Sequence, residues 1–176
     1  MKIKFFTLLG VTLTTLLSAN LNNLHTFESS FKQNIKNDQN SVIEYVGKIS
    51  ALRDENVALW EYKSPVEKKI YYYDGKLVII EPELEQAIFA KLDQVPNILK
   101  LLKSAQKLRE NVYETTFDNI KYKIITNKDK IEQISYTDQL HNKVTIKFYN
   151  QKINQKINKQ RFIFKIPEHY DILKQN

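Results

Sequence analysis

From Ser41 onward the chain is a succession of short β-branched and aromatic runs, each cut off by a turn signal. That pattern admits little besides an antiparallel sheet. Ser41–Leu52 carries Val42, Ile43, Tyr45, Val46 and Ile49, and Asp54-Glu55-Asn56 breaks it. Val57–Tyr62 follows, with Ala58, Trp60 and Tyr62 on one face because successive strand residues alternate sides. Ser64-Pro65 separates it from Lys69–Tyr73. Asp74-Gly75 is the strongest hairpin signal in the sequence and predicts a return strand over Leu77–Ile80, with Gln86–Ala90 continuing beyond Pro82. Further strands are predicted over Asn111–Phe117, Lys121–Thr126, Ile131–Thr137, Val144–Tyr149 and Arg161–Ile166. The Asn/Gln/Lys-rich stretch Gln151–Gln160 reads as a long loop or a poorly packed strand extension.

Two segments break the β pattern. Leu21, Leu24, Phe27, Phe31 and Ile35 recur at spacings of three and four, which predicts an N-terminal helix over roughly Asn20–Lys36. Ile98, Leu101, Leu102, Ala105 and Leu108 form a helical stripe, with Leu99 beside it, and predict a short helix between strands. The expected fold is therefore mainly β (α+β): an unclosed, strongly curved antiparallel β-barrel with an N-terminal helix and a short helical lid. The mouth of such a barrel is a common place for a ligand cavity.

Met1–Ala19 has two early lysines, an apolar run from Phe5 to Leu17 and the small residues Ser18-Ala19. This is the pattern of a cleavable secretory signal peptide, which divides the chain into 1–19 and one domain over 20–176. Asn20 stands where a cysteine would complete a lipobox, so the exported chain is not expected to carry a lipid of its own. Without Met1–Ala19 the chain has 25 basic and 20 acidic residues, a net charge of +5.

Composition removes most catalytic classes. There is no cysteine for thiol chemistry or thiolate metal sites, and three glycines leave no phosphate-binding loop. His25, His141 and His169 form no metal-ligand or nucleophile pattern and are read as surface residues. Glu81, Glu83 and Glu85 are read as a solvated strand end. The lysines alternate with apolar residues and show no single basic cluster, which fits a solubilised sheet surface better than a nucleic-acid site. No catalytic residue, metal or cofactor is expected.

A series of ordered motifs adds to this reading: Phe31-Lys32-Gln33, Gly47-Lys48-Ile49, Arg53, Trp60-Glu61-Tyr62, Pro65, Tyr73-Asp74-Gly75-Lys76 and Glu81-Pro82-Glu83-Leu84-Glu85-Gln86, closing with Phe162-Ile163-Phe164-Lys165-Ile166-Pro167. Together they resemble the LolA family of outer-membrane lipoprotein carriers. Asp54 departs from the proline usual after the arginine, Ala58 from a common phenylalanine, and Tyr73 from the serine before Asp-Gly-Lys. The resemblance implies a monomeric periplasmic chaperone. It would receive acylated lipoproteins from an ATP-driven inner-membrane release complex and pass their acyl chains, held in a lidded cavity, to an outer-membrane acceptor. It implies a lid latch at Arg53, cavity walls at Ala58, Trp60 and Tyr62, and a lid helix carrying Ile98, Leu99, Leu101 and Leu102. A lipid- or lipoprotein-binding sensor of the same fold is the alternative.

Overall fold

The computed structural model describes residues 21–73, 75–91 and 98–175. The segment expected to be a signal peptide and Asp74 of the expected hairpin turn lie outside them. Twelve strands, β1 (Thr26–Lys36), β2 (Val42–Leu52), β3 (Val57–Ser64), β4 (Lys68–Tyr73), β5 (Lys76–Glu81), β6 (Gln86–Lys91), β7 (Gln106–Arg109), β8 (Val112–Phe117), β9 (Ile120–Asn127), β10 (Lys130–Thr137), β11 (Lys143–Ile153) and β12 (Asp171–Gln175), form one sheet. Its order is β12-β6-β5-β4-β3-β2-β1-β11-β10-β9-β8-β7. All neighbours are antiparallel except β12, which adds to β6 in parallel. β7 and β12 are the two edges, so the curved sheet stays open. Among the described residues one α-helix, α1 (Ile98–Ser104), lies between β6 and β7. The expected open barrel with a short helix is the fold observed.

The N-terminal helix is a correction. Leu21–Asn23 is a single 3₁₀ turn and Thr26–Lys36 is strand β1, paired on both sides, with β2 and with β11. Phe27, Phe31 and Ile35 are four residues apart, a spacing that a helix and a period-two strand share. The intervening inward positions hold Ser29 and Gln33, both buried. The Ser29 hydroxyl donates to the carbonyls of Ser30 and Tyr149, and Gln33 Oε1 accepts from the Tyr62 hydroxyl at 3.0 Å. These satisfied polar residues disguise the alternation that makes β1 a strand.

The inner face gathers the main core around β1, β2 and β9–β11, with Phe27, Phe31, Tyr122, Ile124 and Ile131 almost wholly buried. A second, smaller core lies on the outer face of β3–β6. Residues of Arg161–Ile166 pack against it, and they are a second correction: Lys159–Phe162 is a 3₁₀ turn and Ile163–Ile166 pair with no strand. Their alternation is real, but Phe162, Phe164 and Ile166 use it to cover Leu59, Tyr71, Val78 and Ile80 from outside. Arg161 anchors this strap with ion pairs to Glu28 and, at 3.1 Å, to Glu61. The strap then leads into β12, whose residues are all exposed and which no hydrophobic pattern announced.

Gly47 is where two layers come closest. It faces Phe31 across the β1–β2 ladder. A Cβ there would stand 2.3 Å from the Glu61 carbonyl oxygen and 2.7 Å from Phe31 Cζ. The backbone oxygen cannot move away without breaking the β2–β3 ladder, so relief has to come from strand displacement. Gly47→Ala is expected to cost about 3 kcal/mol, the upper end for overpacking a core, measured by chemical denaturation of the pair of proteins.

Candidate functional site

A cavity of about 120 Å³ lies between the inner face of the sheet and α1. The ladder registers explain its walls. Ala58 pairs with Tyr72 and Tyr72 with Leu77, which puts these three in one inward row. Trp60 and Ile70 form the next row, and Tyr62 the one beyond. All three wall residues expected from the sequence, Ala58, Trp60 and Tyr62, line the cavity. The opposite wall is Tyr122, Ile134, Tyr136 and Ile146 from β9–β11, and Gln33 comes from β1. The sequence pattern predicts strands at Tyr122, Ile134, Tyr136 and Ile146 and a helix at Gln33, and it assigns none of the five to the cavity. Their inward alternation is visible in the sequence, yet only the strand order brings β9–β11 opposite β3 and β4.

Phe31 sets the pitch of the aromatic wall. Its ring meets Trp60 and Tyr62 edge-on, each at 5.1 Å between centroids. Such edge-to-face geometry is the favoured one for aromatic rings and holds the two larger side chains at fixed angles. At the rim, the Lys68 ammonium stands over the rings of Tyr45 and Tyr62, 5.4 Å and 4.9 Å from their centres. The rim of the cavity is thus cationic, while its interior mixes aromatic side chains (Trp60, Tyr72, Tyr122) with aliphatic ones (Ile70, Leu77, Ile134, Ile146).

α1 closes the cavity. Ile98 and Leu101 face into it, one turn apart. Leu99 and Leu102 do not line it; they are buried in the adjoining core, where α1 packs against β8 and the Leu21–Asn23 turn. All four residues expected on the lid helix are therefore buried beneath it, two in the cavity and two beside it. The helix itself ends at Ser104, whose hydroxyl donates to the Lys100 carbonyl and bonds the Thr115 hydroxyl at 2.8 Å. The predicted continuation to Leu108 is instead strand β7, with Leu108 exposed. Arg53 sits in the turn after β2, and its Nη1 donates to the Leu24 carbonyl at 3.4 Å. Leu24 directly follows the 3₁₀ turn on which α1 rests.

His25, His141 and His169 are exposed, and no group of three or more metal-ligating side chains occurs among the described residues. No helix among them is long and apolar enough to cross a membrane.

The titratable groups of the cavity are phenols. Burial raises Tyr62, with Tyr136 and Tyr45 adding to the effect. Burial also raises Tyr122, and pushes Tyr136 up to about 12, with Asp138 contributing. An unfolded chain ionises its tyrosines near pH 10. Above that pH the unfolded state binds fewer protons than the native one, so stability falls as pH rises. The stabilisation is fully present below about pH 10 and is lost on the way to pH 12 and beyond. The thermal midpoint should be flat up to that window and then drop, with tyrosinate absorbance appearing together with unfolding. Tyr136→Phe should make the drop shallower.

Comparison with known proteins places this architecture. Residues 22–123 match the family model of the outer membrane lipoprotein carrier protein LolA. The chain is 39% identical over 152 residues to an outer-membrane lipoprotein carrier protein of Campylobacter jejuni, covering 86% of this chain and 88% of that protein. It is 34% identical over 169 residues to the protein of that name from Wolinella succinogenes, covering 96% and 98% of the two chains. In fold it is similar to a LolA superfamily protein from Nitrosomonas europaea, with a TM-score of 0.53, 11% identity, and 88% and 99% of the two chains covered. An open β-barrel, an inward aromatic wall and a helix across the cavity accompany a match that spans most of the chain: it belongs to the LolA family of outer-membrane lipoprotein carrier proteins.

Proposed function

We propose that the protein is a non-catalytic carrier that takes the acyl chains of lipoproteins beneath α1 and moves them through the periplasm from the inner to the outer membrane. The observation that supports this best is the mismatch between the cavity and the helix that closes it. A dry cavity of about 150 Å³ accepts one benzene-sized molecule, and the one here holds about 120 Å³. Three acyl chains with about 45 methylenes have no room in it, and each methylene left in water costs ~0.8 kcal/mol. Binding therefore requires α1 to leave, and the incoming chains then take the places of Ile98, Leu99, Leu101 and Leu102.

The exchange is feasible because the helix is weakly held by itself. Seven residues are too few for a helix stable in isolation. Its stability comes from its four buried side chains, each worth about 1.5–3 kcal/mol when fully buried. An acyl chain in the same space recovers that burial energy, so the open, loaded form and the closed, empty form lie close in free energy. Closeness matters, because complete burial of three acyl chains would exceed the ~18–21 kcal/mol at which non-covalent affinity saturates, and release would fail.

Arg53 has the latch role in this reading. It ties the segment under α1 to the end of β2, and it favours the closed form over the open one. A charged hydrogen bond is worth about 1.5–3 kcal/mol, or a shift of roughly 10- to 100-fold in the balance between the two forms. The ATP-driven release complex of the inner membrane supplies the cargo, and an acceptor at the outer membrane receives it.

Two measurements test the reading. Incubated with inner-membrane vesicles and their release complex, the protein should yield a soluble one-to-one complex with a triacylated lipoprotein; persistent retention of all lipoprotein in the vesicles would overturn it. Arg53→Leu should still accept lipoprotein but hand it on at least tenfold more slowly, and Arg53→Lys should lie between, because it keeps the charge and loses the planar fork. Normal handover by Arg53→Leu would remove Arg53 from the latch role. For the cavity, Leu101→Glu should abolish binding of an apolar solvatochromic dye while the circular dichroism spectrum stays native.

A further inference from the structure

The strap that covers the outer face of β3–β6 stops short of the other half of the sheet. There, on the outer face of β9–β11 and β1, lysines scattered along the sequence are brought together. Lys36 stands directly opposite Lys143, and Lys32 directly opposite Lys147, in the β1–β11 ladder. Lys121 and Lys123 lie on β9, beyond β10 on the same face. A shallow groove beside Lys121, Lys123 and Lys143 is lined further by Ser135, Thr137, Thr145 and Glu114. Like charges directly opposite in a ladder destabilise a sheet, so this arrangement works against the fold that carries it.

The neighbouring acids offset it only in part. Glu44 is engaged by Lys32 at 2.9 Å and Glu114 by Lys121 at 3.3 Å. Asp138 and Asp118 keep their charge in the turns, Asp138 accepting from the backbone N–H groups of Leu140 and Asn142 and Asp118 from Gln139, and neither pairs with a lysine among the described residues. Among the described residues, no carboxylate forms an ion pair with Lys36, Lys123, Lys143 or Lys147.

Apolar side chains border the same patch. Leu140 tips the β10–β11 turn and is 79% exposed; Val42, opposite Lys36, is 55% exposed. The antiparallel order places both turns at one end of the sheet. We propose that this end of the outer face docks on an anionic lipid surface, with Lys36, Lys123, Lys143 and Lys147 against lipid phosphates and Leu140 entering the boundary between headgroups and acyl chains.

A lipid surface fits better than an acidic protein because the apolar residues stand on separate turns with charge between them. A protein interface gathers its apolar residues into one core with a polar rim. A fluid headgroup layer accepts isolated apolar tips among lysines, whose aliphatic stems reach down while their ammonium groups stay at the phosphates. The opposite side of the same rim is set against such contact: Val66 adjoins Glu67, and Leu84 lies between Glu83 and Glu85. The molecule therefore approaches the bilayer tilted onto β10, β11 and β1. Nothing in this docking depends on what fills the cavity, so it stands or falls apart from the carrier reading.

The test uses the exported protein purified from the periplasm without cargo, and vesicles of phosphatidylcholine with or without phosphatidylglycerol. Co-flotation is expected only with phosphatidylglycerol and should weaken as salt is added. A lysine near an anionic surface contributes roughly a fivefold gain in binding, so Lys36→Gln with Lys143→Gln should weaken it roughly 25-fold. The same double variant should unfold at an equal or higher temperature, because repulsion across the ladder is relieved; that separates lost docking from lost folding. Leu140→Trp should shift its emission to the blue with anionic vesicles alone. Equal binding to both vesicle types, no binding to either, unchanged binding by the double variant or unchanged tryptophan emission would each overturn the proposal. So would capture of an acidic protein through these lysines by a chain that ignores vesicles.

Discussion

Phe31 seated on the bare backbone of Gly47 is the contact from which the rest of the interior takes its shape. β1 is paired on both sides, so the two halves of the sheet meet along it. A side chain at position 47 would push β1 and β3 apart by meeting Phe31 and the Glu61 carbonyl at once. With glycine there, the Phe31 ring lies low enough to fix Trp60 and Tyr62 edge-on. Those rings then stand as a wall rather than filling the hollow. A conventional core would close over such a space. Here the ring-to-ring contacts satisfy the aromatic residues laterally and leave their inner surfaces for α1.

The lid follows from that hollow. Because the sheet remains open between β7 and β12, its curvature is not locked by closure of a barrel, and the interior is sealed by a helix instead. Ser104 shows how local the helix is: its hydroxyl satisfies the last turn and reaches Thr115, and the chain becomes strand two residues later. A longer helix would have enough intrinsic stability to stay helical and docked. At seven residues, α1 exists because of what it covers, and displacing it costs burial that a ligand restores.

The sequence was most legible where one face is polar and the other apolar. β2 to β6 and β8 to β10 follow from alternation and turn residues, and Gly75, with φ of 75°, occupies the left-handed position that the Asp-Gly signal implies. β1 carries a helix-like signal because Ser29 and Gln33 occupy inward positions with their own hydrogen bonds, leaving a four-residue apolar spacing. The Arg161–Ile166 segment carries a strand-like signal because alternation records a two-sided environment and not strand pairing; it packs on a sheet from outside. β12 carries no signal, since backbone pairing with β6 alone places it. At the site, Ala58, Trp60 and Tyr62 are legible from one strand, whereas Tyr122, Tyr136 and Ile146 join them only through strand order.

The same logic explains why charge was harder to read than hydrophobicity. Along β1, lysines at 32 and 36 look like solubilising residues on an ordinary exposed face, and so do those at 143 and 147 along β11. Register turns them into two facing pairs. A hydrophobic face must find cover for the chain to fold, so its location constrains the fold and is recoverable from it. A lysine cluster is tolerated by the fold and not required by it. The two outer halves of this sheet make the contrast directly. One is covered by an aromatic strap pinned through Arg161 to Glu28 and Glu61, which uses acids of β1 and β3 internally. The other has two acids in turns and two in lysine pairs, and Lys36, Lys123, Lys143 and Lys147 face outward without an ion-pair partner among the described residues. Coverage on one half and unpaired lysines on the other give the curved sheet a distinct outside, set independently of the cavity within.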